Sequence, residues 1–168
     1  MECVRLLKMR RAPSYCTAVA GILFLLGGKK MKIKQISIFL ENTAGRIADV
    51  TKVLKDNGVN LRAIMIADTA DFGILRIITD DSQKALEVLT NARYTTRTTD
   101  VLGVLIKDEV GALYNVMSLF QTNGINIEYL YASLEKTDNT AVVIFKVEDV
   151  EKGLKVIEEN GISGVGKF

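Results

Sequence analysis

The alternation of apolar and polar positions changes period several times along the chain, and each change predicts a new element. Over residues 32–40, Ile36, Ile38 and Leu40 alternate with Gln35, Ser37 and Phe39, the two-residue period of a strand. Around Gly45 the period becomes helical, with Ile47, Val50 and Leu54 on one stripe and Thr43 expected as the N-cap. Asn57-Gly58 stops this helix, since glycine adopts the left-handed conformation that follows a last turn. Residues 60–67 predict a second strand, residues 68–71 a turn, and residues 72–79 a third strand carrying Ile74, Leu75, Ile77 and Ile78. Asp80-Asp81-Ser82 caps a second helix whose apolar stripe is Leu86, Leu89 and Ala92. The threonine-rich stretch 94–99 is a strand. It enters residues 101–106 with little turn chemistry, which predicts one continuous or gently bent ribbon.

The same order then recurs. Glu41-Asn42-Thr43-Ala44-Gly45-Arg46-Ile47 returns as Lys107-Asp108-Glu109-Val110-Gly111-Ala112-Leu113, and Asn57-Gly58-Val59-Asn60-Leu61 returns as Asn123-Gly124-Ile125-Asn126-Ile127. The copies lie 66 residues apart without a gap, which marks an internal repeat. Leu113, Val116, Met117 and Phe120 form the next helical stripe. Residues 126–134 and 140–147 are strands around the turn at 136–139, which is two residues longer than its counterpart, so that Asp81 aligns with Asp149. Val150, Leu154 and Ile157 line a last helix ended by Asn160-Gly161, and the glycine-rich tail is too short for a full strand.

Each copy therefore reads β-α-β-β-α-β. The fold class is α+β, with two ferredoxin-like units in tandem (residues 31–98 and 99–168), antiparallel sheets, and the helices on one face of each. Units of this size sit near the lower limit for an independent core, and the second sheet face is apolar enough to need covering, so mutual burial between units or between chains is expected, with a homodimer as the assembly.

Charge and composition narrow the function. The chain has 168 residues and a net charge of +2, with acids and bases interspersed, which argues against a nucleic-acid partner. Histidine is absent, and no nucleophile stands beside a base, so neither catalysis nor a metal or other cofactor is expected. Cys3 and Cys16 both precede the repeats and lack ligand spacing, which fits a cytoplasmic protein. Residues 1–30 stand outside the pattern. Lys8, Arg10 and Arg11 precede an apolar run over 18–26 that resembles part of a signal peptide, but the run is too short to span a bilayer. Codons for Gly27-Gly28-Lys29-Lys30 can also spell a ribosome-binding site ahead of Met31, so the segment reads as an over-extended start, an anchor-like extension or an added helix.

At Gly45 and Gly111 a strand passes into a helix whose first amides lack internal partners and carry the positive end of the dipole. Such a turn can hold a carboxylate or phosphate, or it can simply be tight. Asn60 and Asn126 offer amide side chains at the start of the following strand, or serve only as turn residues. With Glu-Asn-x-x-Gly-x-Ile, Asp-x-x-Gly-Ala-Leu and the Gly-Val/Ile-Asn-Leu/Ile that follows each, residues 31–160 resemble the ACT domain, twice over. Members commonly have proline before the glycine, where this chain has Ala44 and Val110.

The resemblance implies a regulatory module of amino-acid metabolism, with an amino acid held against the strand-to-helix turn where two units meet. Carried over by position, it implies a ligand site at Asn42, Thr43, Ala44, Gly45, Arg46, Ile47 and Asn60, and a second at Glu109, Val110, Gly111, Ala112, Leu113 and Asn126. Backbone amides at the glycine would take the carboxylate, and Asn side chains and strand carbonyls the ammonium group. Tyr129 and Tyr131 would wall the pocket or belong to a core or interface. Two other readings stay open. One is a subunit gripping a metabolic enzyme, like the small subunit of acetolactate synthase; the other is an interaction module without a ligand. RNA binding shares the topology, but the aliphatic third strands lack stacking aromatics.

Overall fold

The computed structural model describes residues 31–68, 72–137 and 139–168, so the expectations for residues 1–30 and the tips of both hairpin turns fall outside the described residues. The chain runs β1 (Lys32–Glu41), α1 (Arg46–Asp56), β2 (Leu61–Asp68), β3 (Phe72–Thr79), α2 (Ser82–Asn91), β4 (Thr95–Lys107), α3 (Ala112–Thr122), β5 (Ile127–Thr137), β6 (Thr140–Val147), α4 (Val150–Glu159) and β7 (Gly164–Val165). The expected ribbon is one thirteen-residue strand, β4, and the tail supplies only the two-residue β7. The boundary expected at 98/99 falls inside β4.

All pairings are antiparallel. The order is β1-β3-β2-β5-β6-β4-β7, and β1 also pairs with β4, which closes the first six strands into a ring. The N-terminal part of β4 lies on β1, from Phe39 opposite Thr95 to Lys32 opposite Leu102, and its C-terminal part lies on β6. The other closure is slight, a single pairing of Ala63 with Ser133 between β2 and β5. Separate sheets were expected; the shared strand and this closure join them instead.

Three buried clusters follow from the alternation of strand side chains. One face of β1 and β3 packs Ile36, Ile38, Leu75 and Ile77 against Val50 and Leu54 of α1 and Ala85 and Leu89 of α2. In the second half Leu102, Val104, Phe145 and Val147 meet Val116 and Phe120 of α3 and Ile157 of α4. The opposite parity builds a third cluster inside the ring from Ile33, Ala63, Ile78, Val101, Tyr131, Val142 and Ile144. The two halves thus cover each other's second sheet face within one chain, the burial between units that was one of the two expected arrangements. Three helical stripes differ from expectation at one end: Ile47 on α1 and Leu113 on α3 face solvent, and Ala85, not Ala92, faces inward on α2.

The ring interior also holds a polar group. Fully buried Gln35 donates from Nε2 to the Tyr129 hydroxyl (2.9 Å) and to Ser37 Oγ (3.2 Å), and its Oε1 accepts from the Tyr131 hydroxyl at 3.0 Å. Tyr129 also lies under the Arg76 guanidinium, 4.2 Å from the ring centroid. Burial pushes the Tyr131 hydroxyl above the ordinary tyrosine value of 10.0. Its contribution to stability is therefore complete below that value and is lost as pH rises past it. Tyr131→Phe is expected to cost about 1–3 kcal/mol at neutral pH by leaving Gln35 without its donor. It should also flatten the fall in stability at alkaline pH, as read from urea midpoints.

Candidate functional site

The two glycine turns are built alike. Gly45 is the N-cap of α1 at φ +93°, and Gly111 is the N-cap of α3 at φ +87°. Thr43, the expected cap, lies outside the helix. Its carbonyl accepts from Arg46 N at 3.4 Å, and the first helical bond runs from Asp49 N to Gly45 O at 2.9 Å. As glycines, these N-cap residues supply no side-chain acceptor, whereas α2 and α4 are capped by Asp81 and Asp149, each accepting at 3.0 Å from the amide three residues on. The early amides of α1 and α3 thus receive no acceptor from the N-cap side chain.

A Cβ on either glycine would meet nothing within 4 Å, so conformation demands glycine here and close packing does not. Asn42, Thr43, Ala44, Arg46 and Ile47 are exposed around the first turn, as are Glu109, Val110 and Leu113 around the second, with Ala112 half-buried. The Arg46 guanidinium donates to Glu41 Oε2 at 2.7 Å, and that hydrogen bond raises its pKa.

Asn60 and Asn126 do not join the turn of their own half. β1 and β2 both run antiparallel to β3, so Asn60 starts β2 at the end where β3 finishes, while Gly45 follows β1 at the end where β3 begins. The eleven-residue α1 separates them by roughly 16 Å. Asn60 is instead tied to the start of α2, its backbone N–H donating to Asp80 Oδ1 at 3.1 Å. The antiparallel pairing of β2 with β5 puts Asn60 at the Gly111 end of the ring, and Asn126 at the Gly45 end. Tyr129 and Tyr131 belong to the ring interior, where they meet Gln35.

A cavity lies beside each turn at equivalent positions of the repeat. The first, about 320 Å³, is lined by Phe39, Glu41, Arg46, Arg93 and Tyr94 among others. The second, about 460 Å³, has Leu105, Lys107, Ala112, Gly161 and Ile162 in the corresponding places. Arg93 and Tyr94 were not foreseen as site residues. The offset of 68 residues that aligns Arg93 with Gly161 was the available signal. Among the described residues no cluster of His, Cys, Asp or Glu could hold a metal ion, and no helix is long and apolar enough to cross a membrane.

Comparison with known proteins agrees with this fold. A family model described as an ACT domain pair matches residues 31–167. A crystal structure of a protein from Bacteroides thetaiotaomicron is 38% identical, with a TM-score of 0.75, covering 79% of this chain and 91% of that one. The ligand-free regulatory subunit of aspartate kinase from Thermus thermophilus shares the fold at 20% identity and a TM-score of 0.54, over 75% of this chain and 91% of its own. The corresponding subunit from Thermus flavus does so at 19% identity and a TM-score of 0.53, over 75% and 90%. No curated protein sequence matches significantly.

Proposed function

The chain belongs to the ACT domain-pair family, and from that premise we propose that it is a non-catalytic regulatory protein that binds an amino acid at its glycine turns. The observation that carries the reading is the contrast between helix starts. Two of the four described helices carry an aspartate cap, and the two that follow the repeated glycine have none. A ligand carboxylate would take the place that the aspartate cap fills at the other two helices, and the helix dipole favours its charge. In this reading the chain holds two ferredoxin-like units, residues 31–98 and 99–168, that share β4.

The turns lie open on the surface, so association between copies would enclose them. Ile47, Ile66, Leu113, Tyr114 and Leu134 are exposed apolar residues suited to such a homodimer. The same exposed residues, with Val110, favour the second reading, a subunit that docks on a separate metabolic enzyme in the cytoplasm. A thermal-shift screen of the full chain against the twenty amino acids separates the two. A ligand of the folded state at 100 times its Kd adds about 2.7 kcal/mol, a rise of several degrees in Tm. Silence across the panel from a well-folded protein would discard amino-acid binding and leave the docking subunit.

A further inference from the structure

The two cavities beside the turns have equivalent walls and different charge. All four described helices finish with a left-handed residue, at φ +64° for Gly58, +61° for Gly124, +65° for Gly161 and +64° for Arg93. The closing hydrogen bonds match too, with Tyr94 N donating to Leu89 O at 3.0 Å and Ile162 N to Ile157 O at 3.1 Å. Three of these positions are glycine, which adopts the conformation without strain, and the fourth carries a large cationic side chain. The negative end of the helix dipole favours a nearby cation, but any exposed position of the last turn would provide one. Placing arginine at the one strained position puts it in the wall of the first cavity. Strained residues cluster at active sites and ligand clamps.

That cavity holds three charged side chains, Glu41, Arg46 and Arg93. One Arg46 nitrogen engages Glu41, leaving the rest of its guanidinium donors for a ligand. Arg93 has no ion pair or side-chain hydrogen bond among the described residues. We propose that this cavity is a site for an acidic amino acid, its α-carboxylate received by the start of α1 together with the Arg46 guanidinium, its side-chain carboxylate by Arg93 and its ammonium group by Glu41. The proposal rests on the reading that the protein binds amino acids, and it names their class. Three ligand charges meet three of opposite sign, and a cavity of about 320 Å³ matches the lower end of the ~300–1,000 Å³ found for small-ligand sites. In the second cavity Ala112 and Gly161 replace both arginines, so the chain carries one such site.

Calorimetric titration of the full chain at low salt, with L-glutamate and L-aspartate as probes, tests this. One acidic amino acid should bind at one equivalent per chain. Arg93→Gly should weaken it at least tenfold while its unliganded Tm stays level or rises, since glycine relieves the strained turn; Arg46→Gln should weaken it similarly. Equal binding of L-glutamine or L-asparagine, equal binding of inorganic phosphate, or unchanged affinity in Arg93→Gly would each overturn the proposal. No heat from either acid, alongside a Tm shift from another amino acid, overturns this site and leaves amino-acid binding standing. Silence from all twenty removes both.

Discussion

Replacing Phe120 with alanine is expected to lower stability by about 3–5 kcal/mol. Its ring is fully buried in the second helix-sheet core and meets the Phe145 ring edge-on, with centroids 5.5 Å apart and planes at 81°. Truncation leaves a cavity between α3 and the sheet that neighbouring Val116 and Leu119 cannot collapse to fill. The loss should also reach the other half of the chain. β4 contributes to both halves, and Ile33, Val101 and Ile144 pack across the ring, so neither half keeps its inner face covered when the other opens. A urea titration should show one transition moved to lower denaturant, with no plateau. Two separate transitions, or a loss below about 1 kcal/mol, would contradict the shared core.

The second large effect concerns ligand response. Gly45→Val and Gly111→Val place a β-branched residue at φ +93° and +87°, at an expected cost of about 1–2 kcal/mol each. A new Cβ there meets nothing within 4 Å, so no clash adds to that strain and the rest of the fold should persist. The valine methyl groups would instead occupy the approach to the early helix amides. The ligand-induced gain of about 2.7 kcal/mol at 100 times Kd should therefore vanish from the turn that binds and survive in the other variant. That asymmetry would identify the binding half. Undiminished thermal shifts in both variants would remove the turns from the site.

Much of the fold was legible because it depends on neighbours in the chain. Period-two and helical spacing located the long elements, Asp81 and Asp149 announced two helix starts, and the Asn-Gly pairs announced three helix ends. The absence of turn residues around residue 100 foretold the unbroken β4. The glycine of each turn was legible for the same reason, since its conformation is local. Thr43 misled because threonine is a good cap wherever its backbone allows, and here the left-handed Gly45 starts the helix instead.

What local chemistry could not supply depends on how distant segments meet. Ile47 and Leu113 fit a helical stripe, but each helix rests on its sheet through residues one turn further along, so both point outward. Asn60 and Gly45 are close in sequence, yet β1 and β2 run in the same direction with a helix between them, which separates the two residues by a strand's length. The second sheet face was visibly apolar; that the other half of the same chain covers it follows only from the pairings of β1 with β4 and β2 with β5. Arg93 gains its interest in the same way. In the chain it is one arginine among many, and folding brings it to the cavity that Glu41 and Arg46 share. Hydrogen bonds between near neighbours shape a turn, whereas burial of surface between remote segments selects which turns and faces come together.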